Sequence, residues 1–405
     1  MNESKQGLQY KKTAYMKRVI ALILSLLFII FTGTGCTKQN PAPETIDLLA
    51  WGSQKFLERA AAAFQEANPQ YTYNFTIVSV GEGDTKTRMF EDLEAGADVF
   101  VFADDQLRDL VNAGVLSEVT HNVENIKSRN LPNAVRSATL DGRLMAYPLS
   151  ADNGYFFYYD KSVISESNVE SLEAIIERSR EAGMKFTFPI DVGWIISSWF
   201  LAQGEFGIEN GQLICDFNNA NGLAAAEAMQ AMLDSGAWSR GWADELVEGI
   251  GDTLSGGVGG TWMAADISEK LGENYGAAKL PTATIGGRQV QLSSFIGCKL
   301  VGVNNRSDVL VHAMDFADFL TSEAMQLLNF EMFGIGPSNE NLANNDTIRQ
   351  NLAISALIFQ ARHAHFQRDV PGIFWEAVEE FGNSLIIGST SSLQELLDEM
   401  VAKLQ

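Results

Sequence analysis

From residue 46 onward the apolar positions fall into two alternating rhythms. Ile46 to Trp51 is a short apolar run that predicts a strand. Gln54 to Asn68 repeats its apolar residues at helical spacing until Asn68-Pro69 stops it. Tyr71 to Val80 alternates as a strand, Asp84 to Ala95 reads as a helix, Gly96 to Phe102 as a buried strand, and Asp105 to Ala113 as a helix closed by Gly114. Strands alternating with crossover helices predict a parallel, doubly wound α/β sheet. Ligands of such sheets bind beyond the carboxyl ends of the strands. Here those ends are Trp51-Gly52-Ser53 and Phe102-Ala103-Asp104-Asp105.

Further along, Asp141-Gly142-Arg143 is a turn, and Tyr155 to Tyr159 is an aromatic strand whose alternation gives it two faces. Ser171 to Gly183 predicts a helix, Lys185 to Pro189 a strand, Asp191 to Phe200 a loop entering a helix, and Asn219 to Leu233 an alanine-rich helix. Gly249 to Gly260 is dense enough in glycine to predict a loop that is either mobile or closely approached. From His312 the pattern is helical: His312 to Leu328, Asn351 to Gln360, Phe374 to Leu385 and Ser392 to Leu404.

The first 36 residues follow another logic. Lys17 and Arg18 precede the apolar run Val19 to Phe31, broken only by Ser25. Such a run is short for a membrane span, which needs about 18 apolar residues, and fits a secretory leader. Met16 alone begins a well-formed signal. Gly33-Thr34-Gly35-Cys36 resembles a bacterial lipobox, with Gly33 where an aliphatic residue is usual. The expectation is a signal peptide over 1–35, lipidation at Cys36 and a polar tether over 36–45. Acylation there would hold the protein on the extracytoplasmic face of the cell membrane.

Residues 36–405 are too many for one core and predict two domains. Hydrophobic content of 46% and charged content of 20% are those of a globular protein. The net charge of −22 becomes more negative without the basic leader, which argues against nucleic acid as a partner. Cys215 and Cys298 admit one disulfide in an exported protein, although Cys298 lies in an apolar run where a buried thiol is the commoner state.

The segments DLLAWGSQKFLERAAAAFQEANP, GADVFVFADDQLRDLVNAGVL, AVRSATLDGRLMAYPLSADNGYFFYYDKSV, GVGGTWMAADI, AAKLPTATIGGRQVQLSSFIGCKLVGVN, AMDFADFLTSEAMQ and PGIFWEAVEEF run in order across the chain. Together they resemble the extracellular solute-binding proteins of carbohydrate ABC importers, the maltose/maltodextrin-binding branch in particular. The resemblance implies a two-lobed α/β fold of the periplasmic-binding-protein kind (type II), with hinge-linked doubly wound lobes. Lobe 1 would span 44–150 plus 299–335, and lobe 2 would span 151–298 plus 336–405. It also implies a monomer that captures an oligosaccharide and hands it to the membrane permease, with no cofactor and no catalysis.

A sugar offers an apolar C–H face to an aromatic ring and hydroxyls to fixed polar groups. By resemblance Trp262 and Trp375 are stacking platforms, and Trp194 falls where another family aromatic lies. Asp105, Asp152 and Lys55 match residues that bond hydroxyls, Phe102 stands where relatives carry Trp, and Asp191 lies in the stretch of a family glutamate. The bland alternatives are core filler for the aromatics and solvated surface for the charges. Asp104 has the further alternative of capping the helix that follows. Gln106 replaces a family arginine, and Glu376 a tyrosine. Tyr158-Tyr159 sits too early for an iron-binding tyrosine pair, and His363 with His365 lacks a third zinc ligand. There is no GxSxG, P-loop or HExxH. Two rival functions stand beside the sugar reading. One is a polyamine carrier that boxes an amine with Asp104, Asp105, Asp152, Asp191 and Trp262; the other is a lipoprotein glycosidase.

Overall fold

Val99–Ala103 (VFVFA) is buried at every position, as a strand covered on both faces must be. The computed structural model that shows this describes residues 43–204, 206–209 and 212–404; Cys36, the leader and most of the tether lie outside them. Thr45–Gln405 forms one compact unit. Its larger sheet has the order Ala364–Phe366, Ser294–Val303, Val99–Ala103, Glu44–Gly52, Tyr71–Ser79, and Tyr147–Gly154 also pairs with Ser294–Val303. Glu44–Gly52 and Val99–Ala103 are parallel, with the helices Gln54–Ala67 and Thr85–Glu91 between them in the chain. Ser294–Val303 runs antiparallel to both Val99–Ala103 and Tyr147–Gly154. The sheet is therefore mixed rather than wholly parallel. The sequence rhythm reports only the crossovers between neighbouring segments, and this strand arrives from far along the chain.

A second sheet has the order Trp238–Ser239, Lys185–Thr187, Leu254–Gly259, Phe156–Asp160, Tyr275–Ala278. Its middle strand falls within the glycine-rich stretch expected to be a loop. Of the two alternatives, close approach is the one that operates. A Cβ on Gly256 would lie 2.5 Å from the Tyr158 carbonyl, and one on Gly257 would run into the Thr187 hydroxyl. Phe156–Asp160 alternates as expected, and both its faces are buried. Phe157 and Tyr159, with the neighbouring Tyr155, join a core with Phe186, Trp199 and Phe374. Phe156 and Tyr158 join a smaller one with Leu246, Ile267 and Leu357. Each buried ring contributes about 1.5–3 kcal/mol by area.

Helix starts follow their caps. Ser171 accepts from Ala174 N ahead of Leu172–Glu181, Asn219 from Asn221 N and Gly222 N ahead of Ala220–Asp234, and Ser392 with Glu395 forms a capping box before Leu393–Ala402. The apolar periodicity of His312 to Leu328 is shared by two helices, Leu310–Leu320 and Glu323–Phe333, because Ser322 caps a new start.

The larger sheet carries its own core, with Phe56, Phe64, Phe100 and Phe316. Two strands run from it to the second core. Tyr147 and Leu149 lie in the first and Tyr155 in the second; Leu300 and Val301 lie in the first and Phe295 in the second. Ala151 N also donates to Gly336 O at 3.0 Å. Cys215 and Cys298 are unpaired thiols. Among the described residues no helix is long and apolar enough to cross a membrane, and no cluster of His, Cys, Asp and Glu could hold a metal ion.

Candidate functional site

A cavity of about 540 Å³ opens between the two main cores. The first core's side contributes the loop Gly81–Asp84, Ala103, Asp105 and Gln106; the second core and the smaller one beside it contribute Trp194, Trp242, Trp262, Trp375 and Glu379. Asn153 and Lys299 enter from the two strands that link the cores, and Gln367 from just beyond Ala364–Phe366. Four of the chain's seven tryptophans thus face one space. That concentration is the chemistry of a site for a ligand with flat apolar faces.

Each ring is fixed by its local structure. Trp262 sits in the 3-10 turn Thr261–Met263 that follows the central strand of the second sheet. The Tyr158 hydroxyl donates to Gly260 O at 2.9 Å, and the Thr261 hydroxyl donates to Asp152 Oδ2, so the residues on its N-terminal side are held on both sides. Trp194 begins the helix Gly193–Phe200 and packs edge-on to Tyr155, with ring centroids 4.6 Å apart at 71°. It lies near-parallel to Trp262, 6.2 Å away at 26°. Trp375, in the first turn of Gly372–Ile387, meets Phe295 edge-on at 4.9 Å and 82°. Those two helices pack closely because Gly193 has no side chain; a Cβ there would strike the Trp375 carbonyl.

The polar groups come mostly from the first core. Burial pushes the Asp105 carboxyl up to about 6, while Lys86 and a hydrogen bond from Trp375 draw it back. Lys299 is 6% exposed, lies 4.9 Å from the Trp262 ring centroid and pairs with Glu82 at 3.4 Å. Gln106 is buried; its amide donates to Glu82 O and Gly83 O, both at 2.8 Å, and its carbonyl accepts from Lys86 N at 2.9 Å. This residue braces the loop that lines the cavity.

Of the residues singled out from the sequence, Asp105, Trp194, Trp262 and Trp375 come together here. Four others do not line this cavity. Phe102 is fully buried and packs on Phe100 at 5.7 Å, because its strand is covered on both faces. Asp152 is buried and accepts from Thr261 and Gly336 N, so it bears on the cavity through Thr261. Asp191 pairs with Arg240 at 2.5 Å in a separate pocket. Lys55 is exposed near the start of Gln54–Ala67. Asp104 caps no helix; it is buried, accepting from Ser137 at 2.7 Å and Gln367 at 2.9 Å. Sequence reasoning missed Glu82, Asn153, Trp242, Lys299 and Gln367. Lys299 left a signal, since a lysine inside the apolar run Phe295 to Val303 demands a partner.

The architecture has close relatives in shape. A solved structure determined with acarbose is 28% identical, covering 89% of this chain and 98% of that one, with TM-score 0.79. A maltodextrin binding protein, MalE1 from L. casei BL23, solved without ligand, is 22% identical over 89% of this chain and 99% of its own, with TM-score 0.73. A Thermus thermophilus maltotriose binding protein with bound maltotriose is 18% identical over 88% and 98%, with TM-score 0.76. Both lobes of the two-lobed sugar-binding fold are therefore present. No curated protein matches the sequence. The family model described as bacterial extracellular solute-binding protein matches residues 59–356. With that match over well over half of its length, and a cavity between two cores, the chain belongs to the bacterial extracellular solute-binding proteins.

Proposed function

We propose that this solute-binding protein is the lipid-anchored, substrate-capturing subunit of a carbohydrate ABC importer, and that its ligand is an oligosaccharide of the maltodextrin type. The observation that carries this reading is the convergence of Trp194, Trp242, Trp262 and Trp375 with Asp105, Glu82, Asn153 and Lys299 around one cavity. Rings stack on the C–H faces of the sugar, and the polar groups bond its hydroxyls. The relatives solved with acarbose and with maltotriose support the same ligand class.

The division of the cores supports the lobe boundaries given above, with the linking strands Tyr147–Gly154 and Ser294–Val303 as hinges. Contacts from both lobes to one ligand favour a closed state, which the permease then reads. Anchoring at Cys36 keeps the protein at the extracytoplasmic membrane face. The protein acts as a monomer and leaves the sugar chemically unchanged, as a carrier must. A polyamine box is not favoured: of its four proposed acids only Asp105 lines the cavity, and Asp191 already has Arg240.

A thermal-shift screen of maltose, maltotriose, maltotetraose and acarbose tests the proposal. A ligand that binds only the folded state raises the melting temperature by mass action. No shift with any of the four would refute it.

A further inference from the structure

The cavity pairs aromatic rings with carboxylates. Trp194, Trp262 and Trp375 share it with Glu82, Asp84 and Asp105. On composition alone such a space would hold an organic cation, since ring faces and carboxylates both attract one. One cation is built in. Among the described residues, Lys299 is the single basic one lining the cavity. Its Nζ lies 4.9 Å from the Trp262 centroid and 3.4 Å from Glu82 Oε1.

We propose that Lys299 sets the charge class of the ligand. Its ammonium occupies the place where a ligand's cation would sit, so the site takes neutral, hydroxyl-bearing molecules and turns amines away. This inference rests on the cavity being the ligand site, as argued above.

Three observations carry it. First, the backbone of Lys299 cannot shift easily. It pairs with Ala103 on one side and Ser150 on the other, within an interior strand of the larger sheet. Second, the residue is 6% exposed, so its charge is committed to the cavity rather than to solvent. A buried ammonium is tolerated only with partners, and Glu82 and the Trp262 face are those partners. Third, an ammonium has three donors and no acceptor. One ion pair and one ring face leave donors that a sugar hydroxyl can accept and that another ammonium cannot.

The experiment compares putrescine and maltotriose as probes, by calorimetry at low ionic strength. The wild-type protein is expected to bind putrescine weakly at best. Lys299→Met removes the resident charge and keeps the length of the side chain, and it should gain at least about tenfold in putrescine affinity. That gain should fall with added salt, because it is electrostatic. Lys299→Arg keeps the charge and should gain nothing. Adding Glu82→Gln to Lys299→Met should abolish the gain, because Glu82 is the carboxylate the amine would meet. Lys299→Gln carries the same expectation should the methionine variant not fold. Wild-type protein that binds putrescine as tightly as the variant, or neutralised variants that gain nothing, would overturn the inference. Failure of maltotriose to bind wild-type protein would instead count against the sugar reading, and the putrescine comparison would still decide the role of Lys299.

Discussion

Trp194 donates its indole N–H to the side-chain carbonyl of Gln367 at 2.9 Å. The amide nitrogen of Gln367 in turn donates to Asp104 at 2.9 Å, and Asp104 also accepts from Ser137 at 2.7 Å. A buried chain of hydrogen bonds thus ties an aromatic wall of the cavity to the end of Val99–Ala103 in the first core. Gly297 makes room for it, since a Cβ there would strike Asp104 and Gln367. Such a chain fixes where Trp194 stands and links its position to the charge state of one acid.

Burial pushes the Asp104 carboxyl up to about 7; the bond from Ser137 pulls it down, the charge of Asp105 adds to the rise, and the bond from Gln367 opposes it. The folded state therefore holds this proton more tightly than the unfolded chain, whose aspartate titrates near 4. The contribution to stability is complete below about pH 4 and is lost as pH rises through about 7. Asp104→Asn, which cannot titrate, should flatten that part of the melting-temperature profile. Parallel profiles for wild type and variant between these limits would contradict the assignment.

Trp262→Ala and Trp375→Ala should each weaken oligosaccharide binding by roughly ten- to a hundredfold, as expected for loss of an aromatic anchor of about 1–3 kcal/mol. Both rings are only partly buried, so the unliganded melting temperature should move by a few degrees. A steep fall in melting temperature with affinity intact would show that the rings serve packing instead.

Gly382 faces Ile190 across the contact between Gly193–Phe200 and Gly372–Ile387, and a Cβ there would collide with the Ile190 carbonyl. Gly382→Ala should destabilise the fold by about 1–3 kcal/mol, the usual cost of overpacking. It should also weaken ligand binding, because these two helices carry Trp194 and Trp375 into the cavity. Denaturant unfolding and a sugar titration on the same variant check both effects. A variant as stable as wild type would show that the helices can slide apart.

Anchoring at Cys36 has a direct test. Cys36→Ser should release the protein to the medium or leave it unprocessed. Membrane association at the wild-type level would remove the lipoprotein reading.

Much of this is legible in the sequence. The first strands and helices follow their apolar rhythm, and the glycine setting of Trp262 and the Phe-Trp of Phe374-Trp375 lead to the cavity. What stays hidden depends on partners distant in the chain. Asp152 resembles a ligand residue until the fold brings Thr261 and Gly336 to its carboxylate. Asp191 resembles one until Arg240 arrives. Gly256 and Gly257 suggest a loop because sequence does not show that Tyr158 and Thr187 press on them. Lys299 lies in a strand that reads as core, and only the fold reveals the ring and carboxylate around its ammonium.

An oligosaccharide held among tryptophans between the two lobes should alter their emission. Intrinsic tryptophan fluorescence during a maltotriose titration reads this binding, because four of the seven tryptophans line the cavity. The expected result is a saturable spectral change, insensitive to added salt, that is strongly reduced in Trp262→Ala. An unchanged spectrum with maltotriose, while another solute saturates the protein, would contradict it.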